Sequence, residues 1–294
     1  MSYIEYGGVT SDEIGLTVEH YPNIIHPSRK YDKYNVPGRN GDILIEQDAW
    51  NNYTQPYDVY TGTGERGSAP KSYIDFAAWL YMPNSPSLSI VFSELIGYAK
   101  SIGIQENAIQ SIIDEWAGGY SVLYDTYEPD YFRMARFEGE IEGENAMSRL
   151  ARSTIGFDCR PQRYMMDVME GIELTPGVQK TIYNPTPFAA YPVIVMQADA
   201  ELLSGYSNTI TVNGEELKFN YSFETLNDFE PVVIDTELEG IYGDTGVVGY
   251  SFDTYLSGEY FTLQPGMNTI QVDYRNAGIF TGAKPKVFPR WWVI

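Results

Sequence analysis

Helical periodicity is confined to one stretch of this 294-residue chain, and that confinement sets the fold class. Val91, Leu95, Ala99 and Ile102 recur at i, i+4, i+8 and i+11. Ile109, Ile112, Ile113 and Trp116 recur at i, i+3, i+4 and i+7. Each set lines one side of a helix. Gly103 separates the two helices, and Gly118-Gly119 ends the second with the residue that tolerates a left-handed stop. Strand patterns come before and after. The apolar stripe of the pair is therefore expected to pack on one face of a first-half sheet. The rest of the chain alternates or breaks at turns, which makes it a β-rich α+β protein.

In the first half, strands are expected at residues 14–20, 43–47, 56–61, 72–81 and 120–126. A polar loop, Asp48–Gln55, lies between two of them, and Pro83-Asn84-Ser85-Pro86 stops the strand at 72–81. Phe132 to Ile141 and Arg149 to Cys159 read as a hairpin joined by the acidic loop Glu142–Asn145. The most distinctive local object is Tyr34 to Ile45, YNVPGRNGDILI. Pro37 pre-sets φ and Gly38 accepts φ > 0, which is the chemistry of a tight turn. Asn40 and Gly41 make a second turn, with Arg39 held between the two. On local chemistry alone this is a hairpin corner with an exposed arginine.

The second half has no helical periodicity. Gly171–Gln179 reads as a turn-bearing connector. Strands are expected at Tyr191–Gln197, Thr209–Asn213, Glu216–Tyr221, Val232–Thr236, Tyr250–Tyr255, Tyr260–Leu263, Asn268–Tyr274 and Val287–Val293. Asn213-Gly214, Gly243–Gly246, Ser257-Gly258 and Pro265-Gly266 separate them, and short strands at this spacing imply a β-sandwich. Leu263 and Ile270 bracket the Pro265-Gly266 turn, which Asn268 can cap. Trp291 and Trp292 point to opposite faces, so one is expected in the core and the other as a surface aromatic. The expected organisation is a domain at residues 1–166 holding a sheet or sandwich and the helical pair, a connector at 167–181, and a sandwich at 182–294.

Composition narrows the function. Hydrophobic residues make up 43%, enough for a packed core, and the 25 tyrosines suit strands and protein interfaces. The net charge is −21, and both halves are acidic; between Thr181 and Tyr274 the only base is Lys218. Such a surface repels phosphate and anionic lipid, so nucleic-acid binding is excluded as a main function. An acidic wall past which DNA slides without sticking is still compatible with it. Cys159 is the only cysteine, so no intramolecular disulfide forms, and folding in a reducing cytoplasm is expected. Its place in the alternating run Ile155 to Cys159 suits a small core residue. The N-terminal MSYIEYGGVTSDE has no basic or apolar segment of a signal peptide, and no apolar run approaches the roughly 20 residues of a membrane span. Without a secretory signal, the glycosylation triplets at Asn52–Thr54 and Asn220–Ser222 carry no meaning.

Catalytic signatures fail on context. Gly62-Thr63-Gly64-Glu65-Arg66-Gly67 matches G-x-G-x-x-G, but Pro70 and a strand are expected after it in place of the helix that would face a pyrophosphate. Asp244-Thr245-Gly246 has the form of an aspartic-protease loop, yet that chemistry shares a proton between two such carboxylates and the chain has one D-T-G. With only His20 and His26, no triad or zinc spacing stands out. Glu138 and Glu140 would share a strand face about 7 Å apart, which describes any acidic strand as well as a glycosidase pair.

A resemblance covers both halves. Val36–Asp42, V-P-G-R-N-G-D, resembles a hydrophobic-P-G-R-(N/D)-G run in the N-terminal ring-forming domain of distal tail proteins of long-tailed, siphovirus-type bacteriophages. Phe157–Pro161, F-D-C-R-P, is similar to the strand that closes that domain, and the order of strands, helix, an aromatic–Pro turn followed by Arg136, and closing hairpin also matches. In the second half, N-P-T at Asn184, Y-P-V-I-V at Tyr191, I-T-V-N-G at Ile210, V-V-I-D-T at Val232, L-Q-P-G-M-N-T-I at Leu263 and P-R-W-W at Pro289 are similar to its C-terminal domain. The resemblance implies a galectin-like C-terminal β-sandwich and a structural protein with no enzyme activity, cofactor or metal. It implies a homohexameric ring at the distal end of the tail tube, between the tail-tube protein and the tail-tip protein. Receptor-binding or baseplate proteins would attach at its edge, and DNA would pass through the lumen without specific binding. The location would be the virion, after folding in the bacterial host cytoplasm, with no membrane partner. Pro37, Gly38, Arg39 and Gly41 are then the interface candidates. Two rivals stay open. One is a carbohydrate-binding module that stacks sugar on Trp291 or Trp292, although the second half has no histidine for the galectin pattern. The other is a hydrolase of the host wall.

Overall fold

The computed structural model describes residues 3–19, 21–61, 73–139, 152–166, 170–199, 208–219, 229–243, 256–273 and 283–294. The chain forms two compact units. The first comprises residues 1–86, 119–163 and 294, and the second comprises residues 87–118 and 164–293.

The first unit is built on an antiparallel sheet. Its strands are β1 (Ile4–Tyr6), β2 (Val9–Thr10), β3 (Leu16–Val18), β6 (Tyr53–Thr61), β7 (Ser121–Asp125), β8 (Tyr131–Phe137) and β9 (Arg152–Met165), in the order β2-β1-β7-β8-β9-β6-β3. Between β3 and β6 the chain makes a separate two-stranded sheet, β4 (Arg29–Tyr34) with β5 (Ile43–Trp50). Register puts Tyr53 opposite Cys159 and Tyr57 opposite Ile155, so these side chains share one face with Phe157. The core is completed by Ile4, Tyr6, Leu16 and Val59 from neighbouring strands. Cys159 is fully buried there, as its alternating run predicts.

Residues 72–81, expected as a strand, instead form helix α1 (Tyr73–Tyr81). Aromatic content suggested a strand, but Phe76, Trp79 and Leu80 fall at i, i+3 and i+4, and the two alanines between them favour a helix. Trp79 packs edge-on against Tyr6 and Phe157 at 6.0 and 6.3 Å between ring centroids. Its indole N–H donates to the carbonyls of Tyr6 and Val9 at 3.1 and 3.2 Å. The expected loop Asp48–Gln55 is also corrected: β5 runs to Trp50 and β6 begins at Tyr53, so only Asn51 and Asn52 turn.

The second unit holds the helical pair, α2 (Ser93–Ser101) and α3 (Glu106–Ala117). Ile109, Ile112, Ile113 and Trp116 are buried, and Gly118 caps α3 at φ 56°. The expectation that this pair packs within the first-half domain is corrected, because the pair and its partners belong to the second unit, which takes in residues 87–118 and begins again at Tyr164. Trp116 meets Tyr164 edge-on at 5.3 Å and donates its N–H to Glu237 at 2.6 Å. Lys286 lies 4.7 Å above the Tyr98 ring. A periodic stripe declares a buried face and leaves its partner unspecified.

The strands of this unit are β10 (Ile172–Glu173), β11 (Lys180–Asn184), β12 (Val193–Asp199), β13 (Asn208–Val212), β14 (Glu215–Phe219), β15 (Phe229–Asp235), β16 (Gly240–Gly243), β17 (Leu256–Ser257), β18 (Gly266–Asp273), β19 (Lys286–Phe288) and β20 (Trp292–Val293). The first ten of these form two antiparallel sheets, β10-β19-β12-β15-β16 and β11-β18-β13-β14-β17. Ile194, Met196, Val232 and Ile234 from one sheet and Ile210, Val212, Leu217, Ile270 and Val272 from the other share one core, which makes a β-sandwich. Asn268 caps the Pro265-Gly266 turn: its side chain accepts from Gln264 N–H at 2.8 Å and donates to the Gln264 and Gly266 carbonyls. Tyr260–Leu263 is not a continuous strand; only Leu263 pairs there, in a bridge to Ala190. The strand expected at Tyr250–Tyr255 lies outside the described residues.

Candidate subunit interface

The four interface candidates come together at the tip of the β4–β5 ribbon. The Arg39 N–H donates to the Val36 carbonyl at 3.1 Å, closing a turn with Pro37 and Gly38 in the middle. Gly38 sits at φ 85°, the left-handed value that a type II turn requires at its third position. Gly41, at φ 83°, makes the second bend. A Cβ at either glycine would meet no neighbour within 4 Å, so glycine is required here by backbone conformation alone. Arg39 is exposed and makes no ion pair among the described residues.

The ribbon below this tip pairs with nothing else among the described residues. Lys33 stands opposite Leu44 and Tyr31 opposite Glu46 on one face; Asp32 stands opposite Ile45 and Tyr34 opposite Ile43 on the other. Apolar groups thus lie on both faces. Tyr34, Leu44 and Ile45 are each 51–55% exposed, and Tyr31 and Val36 are exposed as well. An isolated two-stranded ribbon is marginal in water, since neither face has a layer to pack against. At its base, Arg29 bonds Glu46 at 2.7 Å and lies 4.9 Å over the Trp50 ring, which holds the ribbon's root and leaves its outer part uncovered. From Arg29 to Trp50 the ribbon carries four bases (Arg29, Lys30, Lys33 and Arg39) and four acids (Asp32, Asp42, Glu46 and Asp48), in a chain of net charge −21. It is a charge-balanced arm with exposed apolar groups on an acidic protein.

Sequence reasoning singled out the tip and missed the apolar flanks. The signal was present: Ile43-Leu44-Ile45 breaks the inward–outward alternation of a half-buried strand. Trp291 and Trp292 belong to the second unit. Trp291 is in the sandwich core. Trp292 is partly buried, stacked on Phe188 at 4.2 Å, with its N–H donated to the Ala189 carbonyl at 2.9 Å. One face of its ring is therefore already covered.

Buried charge in the first unit is fully engaged. Arg133 bonds Asp125 at 2.9 Å, the Tyr53 hydroxyl at 3.1 Å, and Glu128. Tyr57 donates to Asp125 at 2.7 Å, and burial together with the Asp125 charge pushes its pKa far up. Arg163 bonds Glu128 at 2.8 Å and the Ile294 carbonyl. Such a network orders a core. Glu138 pairs with Arg136, while Glu140, Gly62–Gly67, Asp244–Gly246, Asn220–Ser222 and His20 lie outside the described residues. Among the described residues no cluster of acids, histidines and cysteine is arranged to hold a metal, and no helix is long and apolar enough to cross a membrane.

No protein-family model matches the chain, and no curated protein matches it by sequence. A solved structure does match: the crystal structure of the Dit (gp 19.1) protein of SPP1, described as a paradigm of the hub of the adsorption apparatus in phages that infect Gram-positive hosts. The two chains are 13% identical, the TM-score is 0.57, and the match covers 100% of both. At that identity the likeness shows a shared fold: this chain has a Dit-like, β-rich architecture over its whole length.

Proposed function

We propose that this protein is a structural hub of a phage tail, a homohexameric ring at the distal end of the tail tube. It joins the tube to the tail-tip protein and carries receptor-binding or baseplate proteins at its edge. The observation that carries this function is the isolated β4–β5 ribbon, an arm with exposed apolar side chains on both faces and no layer over them among the described residues. The whole-length likeness to a hub protein of a phage adsorption apparatus supports it. Residues 1–166 are proposed to build the ring, and the sandwich at 182–294, galectin-like by resemblance, to face outward.

The mechanism is geometric and involves no reaction. A head-to-tail contact closes into a ring when the rotation per subunit divides the circle. Pro37, Gly38 and Gly41 set the direction of the tip. Arg39 then presents a planar fork of donors to a carboxylate of the next copy, a pairing that strengthens as water is excluded. With 40 acids against 19 bases, the lumen wall is expected to be net acidic, so that DNA passes without sticking. Arg39→Ala is expected to weaken assembly and leave the thermal transition of the subunit unchanged. Assembly equal to wild type at equal concentration would make Arg39 a turn residue and nothing more.

A further inference from the structure

A groove of about 270 Å³ opens on the first unit between the β1–β2 segment and the end of α1. Trp79 lies buried beside it, held by its two indole hydrogen bonds, and Val9, Ile14, Met82 and Pro83 complete its apolar lining. Gly7 draws the two walls together. A Cβ there would stand 2.8 Å from the Pro83 side chain and 2.9 Å from the Asn84 backbone, and its φ of 60° suits glycine. Met82, at the lip, is 79% exposed, the most exposed large apolar side chain among the described residues. The one charged residue of its lining is Asp75, which is exposed.

The groove is smaller than the roughly 300–1,000 Å³ of a site for a whole small-molecule ligand, and it suits one or two side chains. A compact apolar turn that carries a base would complement it in shape and meet its carboxylate, and the chain itself carries one. Val36 and Pro37 are the apolar tip of the ribbon, with Arg39 in the turn beside them; Lys33 and Asp32 behind, and Asp42 across, add no net positive charge.

We propose that the Val36–Arg39 turn of one copy seats in the Trp79–Met82 groove of the next, with Arg39 against Asp75. This rests on the ring proposed above and names the two halves of its contact. The contact is heterologous, tip to groove, so each copy gives one and receives one, as closure of a ring requires.

The test uses two full-length single variants, Val36→Cys and Met82→Cys. Both positions are exposed, so the fold tolerates them, and the native Cys159 is buried and silent. The variants are mixed, oxidised mildly and run without reductant, and the assembly state of each is read by light scattering. The expected result is a disulfide-linked dimer, twice 33.2 kDa, at least tenfold more abundant in the mixture than in either variant alone. Self-linking of Val36→Cys alone would mean that tip meets tip, and would overturn the groove. Assemblies that form without any linked dimer in the mixture would also overturn the groove and leave the ring standing. A strict monomer in light scattering would overturn both.

Discussion

Replacing Leu44 and Ile45 together by serine removes apolar surface that the lone subunit leaves in water. Leu44 is 55% exposed and Ile45 51%, so the fold has buried only about half of each. Full burial of such a side chain contributes about 1.5–3 kcal/mol. Covering the exposed half in an assembly therefore contributes about 1 kcal/mol per residue, or about 2 kcal/mol per contact. That corresponds to about a thirtyfold weaker association. Their buried halves support only the ribbon, which has no layer over either face among the described residues, so the loss inside the subunit is local and the global unfolding transition should change by no more than about 0.5 kcal/mol. The assay is mass against concentration by light scattering, with thermal unfolding of the dilute protein as the control. Assembly at the wild-type concentration would refute the ribbon as a contact surface. A thermal midpoint lowered by several degrees would show instead that these residues support the fold.

Three further outcomes follow from the packing. Asp235→Ala removes from the buried Arg290 the two carboxylate oxygens at 3.0 and 2.6 Å, leaving Glu237 at 3.5 Å, and also frees the Glu237 and Leu238 N–H groups. A loss of about 3–5 kcal/mol is expected in urea unfolding, partly recovered by adding Arg290→Met, and wild-type stability of the single variant would refute the pair's role. Stability should fall at alkaline pH. Burial is the main cause that pushes Tyr53 and Cys159 up to about 12, so both stay neutral in the fold, whereas unfolded they ionise near 10 and 8.5. Their contribution is complete below about pH 8.5 and is lost as pH rises toward 12, so the urea midpoint should drop between pH 8 and 11; a flat profile would contradict this. Gly118→Ala should cost about 1 kcal/mol by placing a Cβ at φ 56° where α3 ends, read in the same unfolding assay, and no change would mean that the cap relaxes freely.

How far the sequence reached depends on which interactions are local. The type II turn at Val36–Arg39 was legible because Pro-Gly chemistry acts over four residues. The sandwich was legible because alternation and turn spacing survive any partner. Helix α1 was misread because aromatic content outweighed the i, i+3, i+4 spacing of Phe76, Trp79 and Leu80. The company of α2 and α3 was not legible, since Trp116 finds Glu237 and Tyr164 across long stretches of chain. Nor was the pairing of Arg290 with Asp235, 55 residues away. At the interface, the tip motif was visible and the exposure of Tyr34, Leu44 and Ile45 was not. An apolar strand residue looks the same in sequence whether its own core covers it or a neighbour must.

The ring is the central claim, and the mass of the purified protein in solution tests it most directly. Light scattering after size exclusion should give a species of six copies of the 33.2 kDa chain, roughly 200 kDa, closed by heterologous contacts. A single species at 33.2 kDa that persists as concentration is raised would contradict it.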